Sequence, residues 1–289
     1  MRLFEEAFAV TIQCGQYILV EPGVELFVQD VGEGEPIVFI PGWTFTTEVF
    51  AKQVEHFKQT NRVIVIDPRS HGRSSTALHG NNYVTQGSDL AKVLDALKLE
   101  SFTLAGWSFG ALTAWEYIRQ HGTQRIKAFL WIDISPKPLS TTHETDWVEG
   151  PLDDIAGAYN LYTRDSAGQR DFVTYYVKEV MFQREVEESE LSWLIEQSLH
   201  TPHYIAANLF AAGMFSDYRE EARLVSESVP TLVIAAEHWA ETATAYVGRI
   251  APQASIEVLG GHLMFWEHAD SFNRIVATFL QSAAQTVNR

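Results

Sequence analysis

The chain has 289 residues, of which 46% are hydrophobic and 12% aromatic, with only 18 Gly and 10 Pro. Such a composition excludes disordered, collagen-like and low-complexity classes and leaves a large folded core. Lys plus Arg number 21 against 37 Asp plus Glu, a formal charge of −16, which argues against nucleic acid and anionic membrane surfaces as partners. A single cysteine, Cys14, forms no internal disulfide and belongs to no zinc-ligand spacing, so a reducing, cytoplasmic setting is expected. Glu5 and Glu6 stand where a signal peptide needs its apolar stretch, and no run approaches the roughly 20 apolar residues of a membrane span.

From Ala7 to Asp30 the pattern alternates around two turn signals, Cys14-Gly15 and Glu21-Pro22-Gly23, predicting short antiparallel strands at a sheet edge. Then the rhythm changes. PIVFI (36–40), RVIVID (62–67), FTLA (102–105) and AFLWID (128–133) are continuous apolar runs, as in strands buried on both faces. Helical patterns from Glu48 to Phe57, Val84 to Leu97 and Phe109 to His121 separate them. Alternation of this kind predicts a parallel sheet covered by helices on both sides.

After Asp133 the alternation stops, and residues 136–228 read as helices without a buried strand. It resumes with VPTLVIAA (229–236), a helix near Ala243 to Ile250, a strand from Ser255 to Leu259 and a closing helix from Ser271 to Gln281. The predicted organisation is therefore an α/β core, 1–135 and 229–289, interrupted by a helical cap, 136–228. The cap holds 17 acidic and 7 basic residues, a net of −10, so most of the negative excess lies there, read as a solvated exterior.

The segment that carries chemistry is FTLAGWSFGA (102–111), in which a buried strand runs into Gly106-Trp107-Ser108-Phe109-Gly110 and then a helix. This is the G-x-S-x-G nucleophile elbow in its required context. The turn strains the serine backbone, the glycines make room for the neighbouring strand and helix, and the helix N-terminus faces any developing anion. A serine hydroxyl needs a base, and the base needs a carboxylate to fix its tautomer. Of ten histidines, His262 stands in a Gly-Gly-His turn between the last strand and the last helix.

On these residues, with Pro41-Gly42-Trp43 after the first buried strand and Asp67-Pro68-Arg69-Ser70-His71-Gly72 after the second, the chain resembles the α/β-hydrolase superfamily. That resemblance implies a mostly parallel eight-stranded sheet with a helical cap, Ser108 as nucleophile, His262 as base, and an oxyanion hole from the backbone N–H groups of Trp43 and Phe109. It implies no metal and no organic cofactor. The acid departs from the common pattern. Most members place an Asp after the strand that here reads TLVIAA, where this chain has Ala236-Glu237-His238-Trp239. Some haloalkane dehalogenases and cofactor-independent dioxygenases carry it one strand earlier, where Asp133 stands; a displaced Glu237 or Glu241, or a bare Ser-His pair, are the alternatives. Asp67 and Arg69 are expected to brace their loop, Glu267 to support the turn before the final helix, and His71 and His238 to be pocket or surface residues.

Trp43, Trp107 and Trp239 all flank these positions, suggesting an aromatic, apolar pocket; Trp147, Tyr159, Trp193, His203 and Phe210 of the cap are candidates for its roof. A serine at the elbow excludes the alkyl-ester chemistry of dehalogenases and epoxide hydrolases, which needs a carboxylate there. PGWTFTTEVF and GWSFGA look like capped small-substrate carboxylesterases, among them the pimeloyl methyl-ester esterases. The expected function is hydrolysis of an ester or lactone of a small, apolar, uncharged substrate with an aromatic or acyl body. Two alternatives stay open: a cofactor-independent dioxygenase of the quinolone-cleaving type, and a hydrolase-fold ligand-binding protein with little turnover.

Overall fold

The computed structural model describes residues 15–140 and 146–287; the expected strand signal from Ala7 to Cys14 lies outside them. Eight strands form one sheet in the order β1-β2-β4-β3-β5-β6-β7-β8. A hairpin, β1 (Gly15–Glu21) and β2 (Val24–Val31), supplies the antiparallel edge, and β2 is also antiparallel to β4 (Asn61–Ile66). Every later neighbour is parallel: β3 (Glu35–Ile40), β5 (Phe102–Trp107), β6 (Ile126–Ile132), β7 (Thr231–Ala235) and β8 (Ser255–Val258).

The continuous apolar runs have a direct cause in this sheet. Side chains alternate faces along a strand, and both faces are covered. Val38, Ile40 and Leu104 point into one core with α2 (Tyr83–Ala96) and α3 (Phe109–His121). Ile37, Phe39 and Ala105 point into the other with α1 (Ala51–Phe57) and residues of the C-terminal segment. A 3-10 turn, Thr47–Phe50, precedes α1, so the helix expected from Glu48 is two elements.

Between β6 and β7 the chain makes α4 (Leu152–Arg164), α5 (Ser166–Tyr176), a π turn (Val177–Met181), α6 (Glu188–Leu199), α7 (His203–Met214) and α8 (Arg219–Ser228). These helices are not all a roof. α8 lies along α3, where Arg119 forks onto Glu221 at 2.8 and 3.0 Å. α9 (Ala240–Ile250), α10 (Met264–Glu267) and α11 (Ala269–Val287) complete the core. Among the described residues no helix is long and apolar enough to cross a membrane.

Candidate active site

At the end of β5 the chain reverses into α3 through Ser108, whose φ of 52° and ψ of −134° lie outside the regions a side chain prefers. Strain of this kind costs about 1–3 kcal/mol and persists only where neighbours impose it. Here Ser108 N–H donates to the Ile132 carbonyl at 2.8 Å, and α3 is pressed against β3 so closely that a Cβ on Gly110 would stand 2.3 Å from the Ile40 carbonyl oxygen. The turn thus projects Ser108 above the carboxyl ends of the parallel strands.

His262 and Ser108 line the same cavity, of about 320 Å³. His262 Nδ1 bonds Asp133 Oδ2 at 2.6 Å, both side chains being almost wholly buried. The other Asp133 oxygen accepts the Ala236 N–H at 2.7 Å, so the ends of β6 and β7 hold the carboxylate together. Asp133 itself sits at φ 48°, a second strained residue beside the elbow. With Nδ1 bonded to the carboxylate as a donor, Nε2 is the nitrogen left to take a proton.

Of the alternative acids, neither reaches the imidazole. Glu237 is exposed and accepts from Gln183 Nε2 at 2.8 Å; Glu241 lies exposed in the first turn of α9. Glu267 accepts the Gln183 N–H at 3.0 Å. Trp43 and Phe109 both line the cavity. As the first residue of α3, Phe109 has an N–H without an acceptor inside the helix, and the Trp43 N–H has no acceptor among the described residues. A Cβ on Gly42 would stand 3.0 Å from the Ser108 Cβ, which is how closely this loop passes the serine.

The histidine ring is clamped between two aromatics. Trp107 lies 5.2 Å away on one side, its indole N–H donating to the His262 carbonyl at 2.9 Å, and Tyr176 stands edge-on at 5.6 Å. The cap also holds the loop's backbone: His262 and Leu263 N–H groups donate to Val180 and Met181 carbonyls of the π turn at 3.2 and 2.9 Å. Nothing in the sequence signalled that contact.

One of the pocket tryptophans, Trp239, needs correction. Trp107 lines the cavity as expected, as a fully buried ring against His262. Trp239 does not line the cavity at all. It sits on the 3-10 turn Glu237–Trp239 after β7, half-buried against the core and beside the His238 ring. Among the roof candidates only Phe210 lines the cavity. Trp147 is fully buried and stacks on Trp131 at 5.9 Å, Trp193 packs on Trp266 at 4.5 Å, and His203 bonds the Tyr162 carbonyl. Tyr159 is 38% exposed and does not line the cavity.

The loop after β4 is braced by buried charge. Asp67 accepts the Thr47 and Arg73 N–H groups at 2.6 and 2.9 Å, and burial pushes its carboxyl up to about 6. Arg69 is fully buried and forks onto Asp89 at 2.7 and 2.9 Å. His71 bonds the Arg69 carbonyl, and burial lowers its imidazole to about 4; it is a buried neutral ring rather than a pocket or surface residue.

The cap supplies a wall of Trp43-centred aromatics. The Trp43 indole N–H donates to the Ala206 carbonyl of α7 at 2.9 Å, and its ring meets Tyr162 at 4.6 Å, Phe210 at 5.1 Å and Phe172 at 6.3 Å. Into this wall the loop before α4 brings Glu149 and, from α4 itself, Asp154. Burial pushes the Glu149 carboxyl up to about 7. Sequence reasoning missed Glu149 because it stands in no motif.

The sequence profile of the alpha/beta hydrolase fold matches residues 35–269. The chain belongs to the alpha/beta hydrolase fold family. The AB hydrolase superfamily protein YisY of Bacillus subtilis is 28% identical over 285 residues, covering 93% of this chain and 100% of that protein. Among solved structures, a bromoperoxidase from Bacillus anthracis superposes with a TM-score of 0.83 at 24% identity, over 92% of this chain and 99% of that one. The esterase EaEST from Exiguobacterium antarcticum gives 0.82 at 22% identity, with the same coverage. Among the described residues no group of three or more His, Cys, Asp or Glu side chains is arranged to hold a metal ion.

Proposed function

We propose that the protein is a serine hydrolase that cleaves an ester or lactone of a small substrate with a largely apolar body. The observation that carries this is the 2.6 Å bond from His262 to Asp133, set in the same cavity as a strained serine. As His262 Nε2 takes the Ser108 proton, the serine oxygen adds to the substrate carbonyl, and the carbonyl electron pair moves onto oxygen. The N–H groups of Trp43 and Phe109 receive that oxyanion, each worth about 3 kcal/mol where such donors are preorganised. The intermediate collapses, the alcohol leaves with the proton from His262, and an acyl-Ser108 ester remains. Water then repeats the sequence, giving up a proton to His262 and releasing the acid.

Asp133 stabilises the imidazolium and fixes its tautomer without itself being protonated. The esterase and bromoperoxidase likenesses fit this reading at the level of fold. An ester panel of increasing acyl length tests it: turnover should require Ser108, and Ser108→Ala activity within tenfold of the unmodified protein would defeat it.

A further inference from the structure

Among the polar groups of the cavity that the hydrolytic mechanism does not use is the Glu149 carboxyl. Glu149 Oε1 accepts the Ser135 N–H at 3.2 Å, two residues beyond Asp133, and its side chain lines the cavity with Ser108 and His262. Among the described residues Glu149 forms no ion pair and no Lys or Arg lines the cavity. The titratable groups around it are Asp133 and His262 at the strand ends and Tyr176 at the end of α5, with Asp154 further along the same wall. Asp133 and burial both disfavour its ionised form, and only His262 opposes them among side chains. A carboxyl drawn out of water without a cation beside it is costly to ionise.

The cavity that carboxyl lines is rich in aromatic rings. Trp43, Phe172, Tyr175, Tyr176 and Phe210 line the cavity. Ring faces attract a desolvated cation, and a nearby carboxylate supplies the formal countercharge. An anionic substrate would meet Glu149 and Asp154 instead, on a cap of net charge −10.

We propose that this cavity selects esters bearing a cationic ammonium group, seated between Glu149 and the aromatic wall while the ester carbonyl lies at Ser108. The inference rests on Ser108 being the nucleophile, and it replaces the expected uncharged substrate with a cationic one. The ammonium completes the pair that Glu149 lacks among the described residues.

Two esters of one shape decide it: butyrylcholine and 3,3-dimethylbutyl butyrate, in which a quaternary carbon replaces the quaternary nitrogen. At pH 8, where Glu149 is ionised, kcat/KM should favour butyrylcholine by about tenfold or more, or about 1.4 kcal/mol. In Glu149→Gln the ratio of the two should fall to within about threefold, whatever happens to the absolute rates. A purely structural Glu149 would lower both rates and leave the ratio in place. Ratios near one in the unmodified protein, or a ratio unmoved by Glu149→Gln, would overturn the proposal. Binding is read separately in Ser108→Ala by calorimetry with choline and 3,3-dimethylbutan-1-ol. Tighter choline binding supports the cation site and equal binding overturns it, even if neither ester is turned over and the hydrolytic reading alone has failed.

Discussion

The strand-end side of the site and the cap side are built on different principles. At the strand ends every group is placed by backbone: Ser108 by a turn wedged between β5 and α3, Asp133 by the ends of β6 and β7, His262 by its loop. On the cap side the groups are placed by side-chain packing, with Trp43, Tyr162, Phe172 and Phe210 in mutual contact and Glu149 lining the same cavity as three of these rings. Backbone placement gives a fixed chemistry, and side-chain packing gives a wall that a few substitutions could reshape. The two sides meet at the π turn, whose carbonyls receive the His262 and Leu263 N–H groups.

The largest effect should come from the strand-end side. Ser108→Ala should lower kcat/KM by about 10⁵-fold, since the remaining site retains only binding and the oxyanion donors. Asp133→Asn should cost on the order of 10³-fold or more by presenting the wrong tautomer of His262, whereas Glu237→Gln should leave steady-state rates within about twofold. Equal losses in the two variants would show that the acid is shared or misassigned.

The cap side should respond in binding and stability. Phe210→Ala removes a buried ring from the aromatic wall and should cost about 3 kcal/mol in denaturant unfolding, with KM raised several-fold and kcat held within about threefold. A fall in kcat equal to that of Asp133→Asn would erase the distinction between the two sides.

A smaller, pH-dependent effect belongs to Glu149. Its folded carboxyl lies at about 7, above its ordinary 4.5, so the folded state holds the proton more tightly. Its contribution is present in full below pH 4.5 and is lost as pH rises through 7. Glu149→Gln, which stays neutral, should match the parent near pH 4.5 and exceed its stability by about 2 kcal/mol at pH 8, allowing for partial solvent contact. A difference that does not change with pH would place the carboxyl in the ordinary range.

The same division explains what could be read from the residues. The sheet was legible because strands covered on both faces must be apolar throughout, as in PIVFI and FTLA. The Ser108 elbow was legible because close approach of α3 to β3 forces glycine at 110. Asp133 was reached through the resemblance to members that carry the acid one strand earlier, and its bond to His262 became visible only in the fold. Trp239 was misjudged because nearness in sequence to a candidate site residue says little about direction: Trp107, at the end of β5, does line the cavity, whereas Trp239 turns away after β7. Glu149 had no local signal, since its surroundings depend on how the cap helices pack across the strand ends.

The dioxygenase alternative is tested by oxygen uptake with a 3-hydroxy-4-quinolone, which should be absent while esters are turned over. The central claim is that His262 and Asp133 activate Ser108, and covalent labelling reads that most directly. A fluorophosphonate probe, followed by peptide mass mapping, should modify Ser108 stoichiometrically and rapidly, with the rate falling at least about 100-fold in Asp133→Asn. Labelling of another residue, or of Ser108 at the same rate in both proteins, would contradict it.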